Sequence, residues 1–166
     1  ESIARKVDLM RSDMVVSYVR DLLEHLTGTR PEPDDDGDLL ICFAGATFYA
    51  RVVNPENPVV QIFSVAVAEL AESPELFAAI NEINRNIGFA RTFLVGDQLL
   101  VETEIWGSDV NPSNFQHACG NIAAVTDNYG PQVIERFGGK PRFEDLKEPE
   151  YDQGSLFRAE GHGAYL

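Results

Sequence analysis

The chain contains few of the residues that most often carry chemistry or cross-links. Its 166 residues include two cysteines and three histidines. The cysteines, Cys42 and Cys119, lie in a predicted strand and a predicted helix far apart in the sequence. A single pair cannot form the disulfide framework of a small secreted domain. We therefore expect a cytoplasmic protein whose fold rests on a hydrophobic core.

The motifs of common active sites are also missing from the sequence. There is no glycine-rich phosphate loop, no nucleophile elbow, no Cys-x-x-Cys pair and no His-Glu-x-x-His motif. The acidic loop at 34–38 lacks the later glutamate and the ligand spacing of a calcium-binding helix-loop-helix. His117 and Cys119 point to different faces of one predicted helix. The sequence predicts no catalytic residue, no metal site and no cofactor.

Glu102 and Glu104 lie on one face of a predicted strand, at a spacing that some hydrolytic enzymes use. Strand geometry places them about 7 Å apart, close to the separation of paired catalytic carboxylates. No pocket-forming loops flank them in the sequence. We interpret both as solvated acids on an exposed sheet face.

Long apolar segments and positive charge are scarce as well. The longest apolar runs, 39–46 and 62–68, are much shorter than the roughly 20 residues that cross a bilayer. Thirteen lysines and arginines stand against 27 aspartates and glutamates, which gives a net charge of −14. A surface of this charge repels the phosphate backbone of nucleic acids. We therefore expect no membrane span and no nucleic-acid partner, and a basic or partly unfolded protein segment suits the charge better.

The sequence does contain a regular series of helix and strand patterns, in the order α-β-β-β-α-β-β-α. Helices are predicted over 7–26, from Pro74 to Ile87, and from Asn111 to Phe137. Strands are predicted over 39–44, 47–53, 59–67, 89–95 and 99–106. Pro131 predicts a kink or a break in the last helix near 127–131. The predicted fold class is α+β, with a five-stranded antiparallel sheet packed by helices over residues 1–139 and an acidic tail over 140–166.

The strand predicted over 59–67 is apolar on both of its faces. On one face lie Val59, Phe63, Val65 and Val67, and on the other lie Val60, Ile62 and Ala66. Such a strand is either covered on both sides or keeps one face free for a partner. We predict a face that takes an extended segment of a partner protein. Its predicted residues are Phe48, Val60, Ile62 and Trp106.

The second predicted helix offers a surface for self-association. Its apolar stripe contains Ile80, Ile83 and Ile87, and the short amide side chains of Asn81 and Asn84 lie beside that stripe. Polar groups at such positions fix the register of symmetric helix contacts. These five residues are predicted to form a homodimer contact.

Three neighbouring segments carry a resemblance to a known family. They are Pro74-Glu-Leu-Phe-Ala-Ala-Ile-Asn-Glu-Ile-Asn84, the strand Gly88-Phe-Ala-Arg-Thr-Phe93 and the turn Gly96-Asp97. Together they resemble the pattern of YbjN-like domains, and over residues 7–138 the order of elements is similar to that of type III secretion chaperones. The resemblance implies a small acidic protein, often dimeric, that holds an extended segment of a partner without catalysing a reaction.

Two other functions remain open from the residues. A regulatory or scaffold subunit would only dimerise. A small-ligand-binding domain or an enzyme would need a pocket lined by polar groups between the sheet and the helices.

The tail over 140–166 is acidic, yet it carries six large apolar residues ahead of Leu166. Leaving such side chains in water forgoes about 1.5 to 3 kcal/mol each relative to full burial. We therefore predict that the tail lies across the apolar sheet face or the adjoining helices, in its own protomer or the dimer mate, and competes with the partner. The six residues are Phe143, Leu146, Tyr151, Leu156, Phe157 and Tyr165.

Overall fold

Three helices and five strands appear in a computed structural model, which describes residues 3–43 and 46–142. Helix α1 spans Ile3–Thr27, α2 spans Pro74–Asn86 and α3 spans Pro112–Phe137. Strands β1 to β5 span Leu39–Phe43, Ala46–Val53, Val59–Val67, Arg91–Val95 and Gln98–Trp106. The predicted order and the α+β class are confirmed. None of the described helices is long and apolar enough to cross a membrane.

The five strands form one antiparallel sheet in the order β1-β2-β3-β5-β4. β3 lies at its centre, between β2 and β5, and β1 and β4 form the two edges. Residues directly opposite each other in neighbouring antiparallel strands point to the same face. Ile62 is opposite Ala50, whereas Phe63 is opposite Tyr49. This register assigns the strand residues to two faces.

Helices cover one face of the sheet, which we call the covered face. Its side chains join those of the helices in one core, to which α1 contributes Leu23 and α3 contributes Phe115. Apolar residues recur every three or four positions along these helices, so a continuous stripe faces the sheet. The strand residues of the core include Leu39, Ile41, Phe48, Ala50, Val60, Ile62, Leu99 and Val101. The core therefore lies on one side of the sheet.

A β-bulge changes the alternation at the end of β3. The pairing of β3 with β5 shifts between Val65 and Val67, so one extra residue enters the strand. Val67 thereby turns to the covered face, where it is opposite Leu99 and fully buried. The expectation from the sequence that Val67 shares a face with Phe63 and Val65 is therefore wrong.

Helix α2 closes the β4 edge of the sheet. Ser73 caps its first turn by accepting a hydrogen bond from the Leu76 amide at 3.1 Å. Near the other end of α2, the Asn84 side chain accepts from the Thr92 amide at 2.8 Å and donates to the Thr92 carbonyl at 2.9 Å. One amide side chain thus takes the place of a neighbouring strand at this point of the edge.

This arrangement gives most residues of the predicted dimer contact a role within their own chain. Ile80 and Ile83 are buried in the core of their own chain, and Asn84 bonds to β4 instead of a second protomer. Ile87 is half-buried against the same core, and Asn81 is an exposed member of the set that forms no such bond to β4. Four of the five residues therefore serve the fold of a single chain.

Helix α3 runs unbroken through Pro131, so of the predicted kink or break the break is wrong and the kink stays a prediction. Its start is fixed by a reciprocal cap, in which the side chains of Asn111 and Asn114 each accept from the other's backbone amide. Val125 and Val133, on either side of Pro131, are both buried in the core. Because proline removes only one backbone donor, packing on both sides holds the two halves in one helix.

Replacing Asn84 with alanine should destabilise the protein by about 1–3 kcal/mol, because the Thr92 amide and carbonyl lose their partners at a partly buried edge. Asn81→Ala is the matched control, since Asn81 lies exposed on the same helix. For the control we expect a change within about 0.5 kcal/mol. The measurement is the free energy of unfolding in urea, followed by circular dichroism. Equal effects of the two variants would contradict this role of Asn84.

Candidate functional site

The structure separates the four residues predicted for partner binding. Phe48, Val60 and Ile62 are 0% exposed in the core, whereas Trp106 is 60% exposed. The first three do not share an exposed face with Trp106, and this part of the prediction is corrected. The physical reason is that apolar residues on both faces of β3 do not reveal which face the helices cover.

Trp106 belongs to the opposite side of the sheet, which we call the open face. None of its residues is part of the hydrophobic core, and none of the described helices packs on it. The register of all five strands defines its membership. The open face comprises Leu40, Cys42, Thr47, Tyr49, Arg51, Val53, Val59, Gln61, Phe63, Val65, Arg91, Phe93, Val95, Gln98, Leu100, Glu102, Glu104 and Trp106.

An aromatic patch occupies one half of the open face. The rings of Tyr49 and Phe63 stack with their centroids 5.3 Å apart. The Arg51 guanidinium lies 4.8 Å from the Phe63 centroid, and the Arg91 guanidinium lies 5.4 Å from the Phe93 centroid. The patch is therefore apolar at its centre and edged by two arginines. We define the aromatic patch as Tyr49, Phe63, Val65, Phe93 and Leu100.

A polar ladder crosses the open face beside the aromatic patch. Arg51 donates to Gln61 Oε1 at 2.8 Å, and Gln61 donates to Glu104 Oε1 at 2.8 Å. Arg91 then donates to Glu104 at 3.2 Å and also to Glu102. The ladder joins four strands through two positive and two negative side chains. This face is therefore balanced in charge, although the chain as a whole has a net charge of −14.

Glu102 is 4% exposed, even though no described helix lies on the open face. Arg91 Nε donates to its carboxylate at 3.1 Å, and this hydrogen bond is the main reason that the pKa of Arg91 is raised. The interpretation of Glu102 and Glu104 as two solvated acids is corrected. Glu104 is exposed, Glu102 is buried, and both are bound to Arg91.

The other end of the open face leads into a cleft beside Trp106. The cleft has a volume of about 420 Å³, and Met14, Val15 and Pro58 form much of its lining. The Gly107 amide donates to the Pro58 carbonyl at 2.7 Å, and a Cβ on Gly107 would lie 2.8 Å from that oxygen. Glycine permits this close approach of two backbones. The exposed indole therefore stands beside a pre-formed apolar cleft.

Among the described residues, no group of three or more His, Cys, Asp or Glu side chains is placed to hold a metal ion. Burial raises the pKa of the Cys119 thiol to about 12, so this thiol stays protonated at neutral pH. The two best-formed cavities of the described residues are open clefts at the surface rather than an enclosed pocket between sheet and helices.

Most residues of the open face are not among the four residues predicted for partner binding, although a pattern in the sequence indicates them. Arg51, Gln61 and Glu104 are polar at positions that share a face with Phe63. A sheet face that mixes charged and aromatic residues is the one that solvent reaches when the other face is wholly apolar. The cross-strand register that unites these residues was not readable from the sequence.

The sequence matches a known protein family over most of its length. The model of the family described as "T3SS (YopN, CesT) and YbjN peptide-binding chaperone 1", or TY-Chap1, matches residues 13–145. The chain belongs to the TY-Chap1 family. This confirms the resemblance carried by the α2 and β4 segments, and TY-Chap1 is by its description a family of peptide-binding chaperones. Among curated protein sequences no match was found.

Two solved structures are similar to this TY-Chap1 chain. In the crystal structure of the ExsC-ExsE complex, the similar chain is 14% identical, the alignment covers 70% of this chain and 93% of that chain, and the TM-score is 0.56. In the Yersinia pestis type III secretion chaperone SycH in complex with a stable fragment of YscM2, the identity is 13%, the coverage is 68% and 97%, and the TM-score is 0.49. The first likeness supports a shared fold.

The pair of Arg91 and Glu102 should contribute more to stability than an exposed ion pair, because Glu102 is buried. A double-mutant cycle with Arg91→Met and Glu102→Gln should give a coupling free energy of about 1.5–3 kcal/mol. The exposed pair of Arg85 and Glu82, 3.2 Å apart on α2, is the matched control. It should give less than about 0.5 kcal/mol. Unfolding in urea measures both, and equal coupling would mean that the burial of Glu102 adds nothing.

Proposed function

We propose that the protein is a non-enzymatic chaperone that holds an extended segment of a partner protein on the open face of its sheet. One observation carries this proposal: the described helices leave the open face uncovered, and it ends at the exposed Trp106 beside an apolar cleft. Exposed apolar surfaces rimmed by polar residues are typical of protein-binding sites. Membership of a family of peptide-binding chaperones supports the proposal.

An extended segment fits this surface better than a folded domain does. Every second side chain of an extended peptide faces the sheet on which it lies. The aromatic patch and the Trp106 cleft offer two apolar positions, and the polar ladder between them both donates and accepts hydrogen bonds. We expect a partner segment in which two apolar residues flank polar ones.

The overall charge adds a second criterion for the partner. A net charge of −14 favours a segment that is basic or unfolded. The similar chain of the ExsC-ExsE structure comes from a complex of two proteins, which supports a protein as the partner class here. We also propose that binding takes place in the cytoplasm and involves no covalent chemistry.

Replacing Trp106 with alanine should weaken partner binding about 10- to 100-fold, because truncating an aromatic residue at the centre of an interface typically costs about 2 kcal/mol or more. The partner is first isolated by co-purification from the native host and identified by mass spectrometry. Isothermal titration calorimetry then gives its affinity for each variant. Tyr18→Ala is the matched control, since Tyr18 is 39% exposed on α1 and lies outside the open face, the cleft and α2. Unchanged affinity for Trp106→Ala would place the partner elsewhere.

We further propose a homodimer that forms through α2 and the loop that follows it. Phe77 on α2 is 49% exposed, and Phe89 has a φ of 57°, which an aromatic residue rarely adopts. Asn121 donates to the Gly88 carbonyl at 2.9 Å, and Thr103 donates to the Phe89 carbonyl at 2.7 Å. The loop therefore holds an exposed ring in place, and a second copy of the chain gains apolar burial by covering it.

This proposal revises the predicted dimer contact. Phe77 and Phe89 replace Ile80 and Ile83, which are buried in their own chain. Asn81 remains, since it is exposed on α2 one turn after Phe77.

Sedimentation equilibrium should give about twice the chain mass of 18.4 kDa at tens of micromolar protein. Phe77→Asp and Phe89→Asp should each lower this toward the mass of a single chain, because a charge would be buried without a partner at the contact. Trp106→Ala is the control and should leave the dimer intact. A single-chain mass for the unmodified protein would contradict the proposed dimer.

A further inference from the structure

The aromatic patch is buried more deeply than the described elements around it explain. Phe63 and Val65 are each 8% exposed, yet neither belongs to the core and no described helix lies over them. Tyr49 and Arg51 cover Phe63 from the sides. Free energy is gained when a further segment of chain lies across such apolar side chains and removes their surface from water.

The chain itself turns toward this surface after α3. Gly138 and Gly139 have φ values of 78° and 84°, which glycine adopts without strain. Lys140 then pairs with Ala68 through two backbone hydrogen bonds of 2.8 and 2.9 Å, and its ammonium lies 2.7 Å from Glu69. A Cβ on Gly139 would lie 2.6 Å from the Ala68 carbonyl oxygen. The exit of the chain is therefore fixed at the end of β3 that carries Val65.

Arg142, the last described residue, acts on the open face. The pKa of Tyr49 is raised, chiefly because burial disfavours the phenolate, and the positive charge of Arg142 opposes this shift. The backbone pair of Lys140 and Ala68 places the chain in the plane of the sheet at the end of β3, only three residues after the end of α3 on the covered side. The residues that follow therefore start at the border of the open face.

The 24 residues after Arg142 have the length and composition to cover the aromatic patch. Fully extended they reach about 80 Å, whereas five strands span about 24 Å across the sheet. They include six large apolar residues ahead of Leu166, and their six acidic and two basic residues give them a net negative charge. The open face does not repel them, since its two arginines balance its two glutamates.

We propose that residues 143–166 dock on the aromatic patch of their own chain and must leave it before a partner segment can lie along the whole open face. The docking proposal rests on where the chain leaves α3 and on the burial of the aromatic patch. Only the competition rests on the proposed chaperone function. The sequence expectation that the tail covers a surplus apolar face concerns residues outside the described part of the chain, and this proposal gives it a definite site.

Cys42 offers a native probe of docking, because it is half-buried on the open face beside Thr47. The other cysteine of the chain, Cys119, is buried, and its thiol has a pKa of about 12. A thiol reagent added to the folded protein therefore reports on Cys42. The rate of its modification measures how often the tail leaves the patch.

The test uses the full chain with the six large apolar residues that precede Leu166 in the tail replaced by serine. Modification of Cys42 should become about ten-fold faster or more, because a docked segment limits access to the rate of its opening. A peptide of residues 143–166 added to this variant should restore the slow rate. The matched control replaces six neutral small or polar tail residues by serine and should react like the unmodified chain. Its positions are Gln153, Gly154, Gly161, His162, Gly163 and Ala164.

Equal rates in the unmodified chain and the six-serine variant, together with no effect of the added peptide, would overturn docking. The competition is tested separately with the co-purified partner, whose affinity should be about ten-fold higher for the six-serine variant than for the unmodified chain. Faster Cys42 modification with unchanged partner affinity would keep docking and overturn competition. If the proposed function is wrong, the affinity of the partner is unchanged by Trp106→Ala. The rates of Cys42 modification still decide whether the tail docks.

Discussion

The packing of α1 and α3 on the same side of the sheet is the constraint on which the rest of the structure depends. Their apolar stripes bury the covered face, including Phe48 and Ile62, and supply the hydrophobic stabilisation of the domain. The open face is left to stabilise itself with its own side chains. Stacked rings, arginines lying on them and a chain of charged hydrogen bonds perform that role.

This division means that the described side chains of the open face are held largely by one another rather than by the hydrophobic core. If the arrangement of the open face depended on packing against the hydrophobic core, a partner that displaced part of that packing would also disturb the face. The aromatic patch and the polar ladder instead hold each other in place through cross-strand pairs within one sheet. A partner that bound the open face as proposed would meet a surface that is already arranged, so less conformational entropy would be lost on binding.

The sequence predicted the elements better than the surfaces. The strand over 59–67 was predicted with the bounds that the structure shows, and Ser73-Pro74 marked the start of α2 correctly, because local turn chemistry and periodicity decide such features. Of the predicted binding residues only Trp106 is exposed. Tertiary packing decides which face of the sheet the helices cover, and the strand sequences do not reveal it. The bulge at Val67 and the pairing of Asn84 with Thr92 also depend on contacts far apart in sequence.

The hydrogen bonds between Asn84 and Thr92 affect the edge at which another strand can be added to the sheet. At the β4 edge the donor and acceptor that another strand would need are already occupied, whereas no described strand pairs with the outer edge of β1. Two copies of the chain therefore cannot join their sheets through two β4 edges at this point without breaking an internal bond, which guards against edge-to-edge aggregation. A segment that extends the sheet by backbone pairing is therefore opposed at Thr92, and the edge that carries no such internal bond among the described residues lies at the far end of the sheet from α2.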